Sequence, residues 1–264
     1  MKNIVLIRHG ESLGQTARQR GVSRKDPSLL DCFLSPKGIR QAQFLGQSYE
    51  TKNNEFDLIC VSPLTRALAT SLLVFRYLFH RKEEKEDEMV NNGNEIMPTT
   101  GIPFLCHPGL AEVGGAIPEN QGRPLEIVMS DIQRKLQCID PRVANDITNV
   151  DFSLLQPQND DGGRPWPRST RFDFMRWLND RPEQNIAIVC HHNIIQHSLC
   201  LNDSVSNCSP ISCVMHEGHL DTFYLPGTTP IKYSSGTETL STNNDGRKKK
   251  GSHHGKKGNC AKHH

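Results

Sequence analysis

The sequence predicts an α/β fold: a three-layer sandwich with a mostly parallel central sheet and helices on both faces. Two observations carry that prediction. Ile4-Val5-Leu6-Ile7, Leu58-Ile59-Cys60-Val61 and Ile186-Ala187-Ile188-Val189 are apolar at consecutive positions, as strands covered on both faces are. Each run then switches abruptly to polar, chemistry-bearing residues and a helix-like stretch. In open α/β sheets, ligands bind just beyond the carboxyl ends of the strands. With 264 residues the chain is long enough for one large α/β domain.

The first strand delivers Arg8-His9-Gly10-Glu11-Ser12. An arginine offers a fixed positive fork, and a histidine beside it is a nucleophile that works near neutral pH. The pair suits an anion that must be held and attacked, and a phosphoryl group fits best. Leu13 to Leu30 has little periodicity and reads as a solvated loop. Its cations (Arg18, Arg20, Arg24, Lys25) are candidates for meeting a second anionic group of a substrate.

Ser35-Pro36 is a helix-start signal, followed by Ile39, Ala42, Phe44, Leu45 and Tyr49 at amphipathic spacing. The second strand runs into Ser62-Pro63-Leu64-Thr65-Arg66-Ala67, another helix start. It places Arg66 in a first turn, where free backbone N–H groups favour an anion. This helix is expected to reach about Phe79, with the charge run from Arg81 to Glu95 a solvated loop. Ile102 to Leu105 is a third strand candidate.

Glu112 follows it in Gly109-Leu110-Ala111-Glu112 and is the chosen proton donor, with Glu11 and Glu119 as competitors. A helix over Pro124 to Cys138 sits within a stretch, about 112–167, that reads as an insertion capping the pocket. Arg168 to Asp180 is a helix with Phe172, Met175 and Leu178 on one face. The strand Asn185 to Cys190 delivers His191-His192-Asn193 and the helix-like run Ile194 to Leu199. Ile211 to His216 and His219 to Leu225 form a hairpin at the sheet edge.

Composition narrows the function classes. No run of 18 apolar residues is present, so no membrane partner is expected, and the N-terminus shows no secretory signal. The nine cysteines include no Cys-x-x-Cys and read as reduced thiols of a cytoplasmic protein. Seven of the 31 Lys and Arg lie at or beyond Arg247, and none of the 29 acids do, so the body is net acidic. Residues 226–264 read as a disordered basic tail. Arg247 to Lys250 is also a candidate nuclear-import or nucleic-acid patch, although no nucleic-acid partner is expected. His192 and His197 are five apart and His191 and His197 six, which does not fit metal ligands on a helix, so no metal is expected.

Three segments together resemble the histidine phosphatase superfamily, with its phosphoglycerate mutase-like fold. Arg8-His9-Gly10-Glu11-Ser12 resembles its signature, Ser62-Pro63-Leu64-Thr65-Arg66-Ala67 its phosphate-binding arginine motif, and Val189-Cys190-His191 its last motif. His192 and Asn193 stand where that last motif has glycines. The resemblance covers about residues 4–225 and implies His9 as nucleophile, Glu112 as acid and then base, and Arg8, Arg66 and His191 as the phosphate cage, joined by backbone N–H groups. Ser12, Gln15 and His192 are further candidates for substrate contact. A histidine nucleophile implies no cofactor and no metal.

The implied activity is hydrolysis of a phosphomonoester, on a small metabolite or a phosphoprotein. A mutase-type phosphotransferase and a weakly catalytic phospho-ligand adaptor are the alternatives. Cofactor-dependent mutases show Trp-Asn where this chain has Gly14 and Gln15, which favours hydrolysis.

Overall fold

The fold was analysed in a computed structural model, which describes residues 1–52, 55–89, 101–156, 165–167, 169–199, 204–217 and 219–222. In chain order the elements are β1 (Lys2–Arg8), α1 (Leu13–Gln19), α2 (Pro36–Lys52), β2 (Leu58–Val61), α3 (Thr65–Met89), β3 (Phe104–Cys106), α4 (Leu125–Gln137), α5 (Pro141–Asn145), α6 (Arg171–Asp180), β4 (Asn185–Cys190), α7 (His192–Leu199), β5 (Pro210–His216) and β6 (His219–Thr222). They build a six-stranded sheet in the order β3-β2-β4-β1-β5-β6. β3, β2, β4 and β1 run parallel, and the hairpin β5–β6 closes the β1 side antiparallel.

The consecutive apolar residues of the central strands divide between two cores, because alternate side chains point to opposite faces. Ile7, Ile59, Val61, Ala187 and Val189 face α2, α3, α4 and α5, packing on Ala42, Leu68, Leu72, Phe75, Ile132 and Val143. Ile4, Leu6, Leu58, Cys60, Ile186 and Ile188 face α6 and α7, packing on Phe174, Leu178 and Ile195. That makes the three layers, and no helix among the described residues is long and apolar enough to cross a membrane.

Four expectations change. The stretch after Ser12 opens with helix α1 instead of a loop. Ser12 accepts from the Gln15 amide at 3.1 Å while Gln15 returns a bond to the Ser12 amide, a capping box that outweighs the weak periodicity. Helix α3 begins at Thr65 and continues through Met89, because the Lys, Arg and Glu of the charge run are strong helix formers. On α6 the buried residues are Phe174 and Leu178, while Phe172 is 65% exposed. Part of the stretch expected to cap the pocket is core instead: Val128, Ile132, Leu136, Val143 and Ile147 are buried against α3 and the sheet. The tail at 226–264, most of the charge run's end and the last residues of the hairpin lie outside the described residues.

Candidate active site

Parallel pairing brings the strand ends together. Ladder bonds continue one step past the strands, with the His9 amide donating to the Cys190 carbonyl and the Ser62 amide to the Val189 carbonyl, both at 3.0 Å. The residues that follow β1, β2 and β4 therefore meet at one place. His9 and His191 have ring centroids 5.1 Å apart and are 4% and 0% exposed. This identifies His191, rather than His192, as the histidine beside His9. The histidine after β3 is different. His107 packs 5.0 Å from both Phe174 and Trp177, and burial takes its pKa down to about 4.

The protonation of His9 follows from its partners. Nδ1 lies 2.7 Å from the Gly10 carbonyl oxygen, which only accepts, so Nδ1 carries the proton. Nε2 receives the Arg66 Nε–H at 3.2 Å, and arginine only donates. The lone pair is thus on Nε2, facing the guanidinium. Burial above all, then Arg66, disfavours the imidazolium and holds the His9 pKa well below the ordinary 6.5, against the opposing pull of the Gly10 carbonyl. A neutral, oriented imidazole results.

Its backbone is clamped from a segment the sequence did not flag. Asn207 Nδ2 donates to the His9 carbonyl at 2.7 Å, the Cys208 amide donates to the Arg8 carbonyl at 2.9 Å, and Gln15 pairs with Asn207. Ser12 and Gln15, expected as substrate contacts, are spent on the cap of α1 and on this clamp. Glu11 is a strut: Ser35, Lys37 and Thr16 all donate to its carboxylate. Burial pushes its pKa up, but those bonds more than offset it and leave the group below 4.5. A carboxylate held ionised is a poor acid.

Arg66 is 4% exposed, and Asn120 and the Glu119 carbonyl accept from its two Nη atoms. The expected backbone cradle is occupied. The Thr65 amide, at the start of α3, donates to Asp31 Oδ1 at 2.9 Å, and the Leu64 amide to Ser62 Oγ. In the loop itself, the amides of His9, Gly10, Glu11 and Ser12 donate to Cys190, Thr70, Gln41 and Gln15. At these positions an incoming anion is left to side chains. Asp31 is buried, with φ +39°, and also accepts from Thr65 Oγ1 and Arg123, so the protein's own carboxylate caps the helix that carries Arg66.

Two nitrogens of the expected cage lack partners. Arg8 Nε and His191 Nδ1 are buried without a hydrogen bond, although Arg8 Nη1 reaches the Val205 carbonyl and His191 Nε2 meets Ser62 Oγ at 2.7 Å. His192 Nδ1, beside Arg8, is also unpartnered. A buried donor left unpaired costs about 1–3 kcal/mol, which a bound oxyanion would recover.

Glu112 closes the site from the loop after β3. Its Oε1 accepts from the Val113 amide at 2.9 Å and its Oε2 from the Asn193 amide, at the start of α7, at 3.4 Å. Burial raises its pKa above 4.5 despite those bonds and the nearby Arg66. Asn120 links the two sides, accepting from Arg66 at 3.0 Å and donating to the Val113 carbonyl at 2.7 Å. The competitor Glu119 is bound instead by Arg18, from α1. Its carboxylate occupies the space a side chain at Gly14 would need: a Cβ there would lie 1.5 Å from Glu119 Oε1. Outward of Glu112 and Asn120 lies a pocket of about 930 Å³.

Comparison with known proteins agrees with this architecture. Residues 4–87 match the model of the histidine phosphatase superfamily (branch 1). A phosphoglycerate mutase-like protein of Arabidopsis thaliana is 24% identical over 264 residues, covering 87% of this chain and 92% of its own. A 2,3-bisphosphoglycerate-dependent phosphoglycerate mutase 2 of Lactiplantibacillus plantarum is 37% identical over 70 residues, 26% of this chain and 28% of that one. Among solved structures, the ecdysone phosphate phosphatase of Bombix mori shares the fold with a TM-score of 0.50 at 15% identity, covering 89% of this chain and 97% of that chain.

Proposed function

We propose that this chain, which belongs to the histidine phosphatase superfamily, is a phosphomonoesterase working through a phosphohistidine at His9. The observation that carries this reading is the pair of buried, unpartnered nitrogens, Arg8 Nε and His191 Nδ1, beside a histidine whose lone pair is fixed on Nε2. They suit a phosphoryl group held by Arg8, Arg66 and His191.

The phosphoryl group takes up the Arg66 Nε–H that His9 Nε2 otherwise accepts, and the freed lone pair attacks phosphorus in line, forming the N–P bond as the ester P–O bond breaks. Glu112, whose burial favours the protonated acid, passes its proton to the leaving oxygen. The guanidiniums oppose charge on the equatorial oxygens, and their fixed placement supplies most of the acceleration. Water then attacks the phosphohistidine, giving a proton to the Glu112 carboxylate as the N–P bond breaks. Inorganic phosphate leaves, and His9 and Glu112 return to their starting forms. Transfer to a second sugar acid is less well supported, because Glu119 fills the space at Gly14 and takes up Arg18.

The test is phosphate release from p-nitrophenyl phosphate and from an alkyl phosphate, with chelator present, together with an alkaline quench to trap phosphohistidine. Wild type should release phosphate and trap label on His9. Undiminished hydrolysis by His9→Ala overturns the mechanism. Phosphoryl exchange on phosphoglycerate without net release would establish the mutase instead.

A further inference from the structure

Resting on the phosphatase reading, we infer that the leaving group is bulky and largely apolar: an aryl or polycyclic alcohol that fills the pocket beyond Glu112. The pocket begins where the chemistry would place the leaving oxygen, since Glu112 and Asn120 form its inner wall. Its volume of about 930 Å³ is near the top of the range for small-molecule sites, far more than a three-carbon sugar acid needs.

Apolar residues make up much of the walls, with Pro108, Val113, Trp166, Phe172 and Ile194 among them. Two of them are fixed by neighbours. The Trp166 ring packs against Gly122, where any Cβ would come within 1.8 Å of it. Phe172 stands 65% exposed on α6, braced by the Arg171 guanidinium 4.5 Å over its ring, although its helix buries Phe174 and Leu178 in the core. A large aromatic kept out of the core at a pocket rim gains contact area when a ligand covers it.

Among the described residues, the cations of the α1 segment are not available to a second anionic group on the substrate. Arg18, the cation beside the cage, is paired with Glu119. Arg20, Arg24 and Lys25 point to solvent. Among the described residues the pocket's own ionisable groups are Glu112, Arg171 and His197, with Arg171 laid over the Phe172 ring.

Primary alkyl phosphates of nearly constant leaving-group pKa isolate recognition from chemistry. We would compare kcat/KM for ethyl phosphate, 2-(2-naphthyl)ethyl phosphate and phosphoserine, using wild type, Trp166→Ala and the exposed-site variant Phe172→Ser. Burial of the naphthyl group should favour its ester over ethyl phosphate by about 50-fold in wild type. That ratio should fall about tenfold in each variant, with the change in KM. A wild-type ratio near one, a preference for phosphoserine, or a ratio unmoved in both variants overturns the inference while leaving the phosphatase reading intact. If no ester is hydrolysed, the phosphatase reading has failed, and binding of the matching phosphonates decides the pocket by itself. Naphthylethyl phosphonate binding tenfold or more tighter than ethyl phosphonate upholds it, and equal binding overturns it.

Discussion

The cage around His9 and the pocket outside Glu112 meet at two residues and are built on opposite lines. In the cage, His9, Arg66 and His191 are each no more than 4% exposed, polar, and anchored at strand ends or on a capped helix. In the pocket, Trp166 and Phe172 come from a loop and a helix rim and are apolar, the first half-buried and the second exposed. Nucleophilic attack demands fixed geometry and a set protonation state, so its groups sit where backbone ladders fix them. Recognition of an apolar group demands area, and loops provide that without disturbing the ladder. The comparison implies that cage variants change turnover and pocket variants change selectivity.

The most severe break is His9→Ala. It should lower turnover by about 10⁴-fold or more, read as steady-state phosphate release, while the melting temperature stays close to wild type. Arg66→Lys comes next, with a loss of about 10²–10³-fold in kcat, because a lysine cannot reproduce a fork that meets His9, Glu119 and Asn120 together.

Glu112→Gln sharpens the comparison, since this residue belongs to both regions. Alkyl phosphates should lose about 10²–10⁴-fold, and p-nitrophenyl phosphate far less, because its leaving group needs no proton. The pH profile carries the same signature. In the proposed mechanism the first step needs protonated Glu112 and neutral His9. With the Glu112 pKa raised above 4.5 and that of His9 held well below 6.5, kcat/KM for alkyl esters should persist into acid and fall as pH rises through the Glu112 value. The falling limb should vanish in Glu112→Gln.

The smallest effects are on stability. Asp31→Ala removes the acceptor for Thr65 and Arg123 at the start of α3 and should cost about 3 kcal/mol. Ser12→Ala, at the cap of α1, should cost about 1 kcal/mol in urea denaturation.

The cage was largely legible in the sequence because buried parallel strands announce themselves and place the residues after them. Arg8, His9, Arg66 and His191 all follow apolar runs or open a helix, where topology leaves little freedom. The supporting residues were not legible for the opposite reason. Asp31, Asn120 and Asn207 lie in irregular segments without periodicity, and their roles depend on partners between 34 and 198 residues away. Glu112 and Glu119 look alike in sequence. Only the third dimension shows one with a burial-raised pKa and the other bound by an arginine. Helical spacing puts Phe172 on one face with Met175 and Leu178, but it shows only that a stripe is apolar, not what will cover it. The capping box at Ser12 and Gln15 was readable, but an expected loop hid it.

The hydrogen that serves as Gly14's side chain has an electrical consequence. It leaves room for the Glu119 carboxylate, and the carboxylate neutralises Arg18 close to the reacting phosphate. A single methyl group at position 14 would evict that carboxylate and unmask a positive charge. On the proposed phosphatase reading, preference would then move towards doubly anionic esters with no change of fold, and the hydrogen at position 14 would be a charge selector.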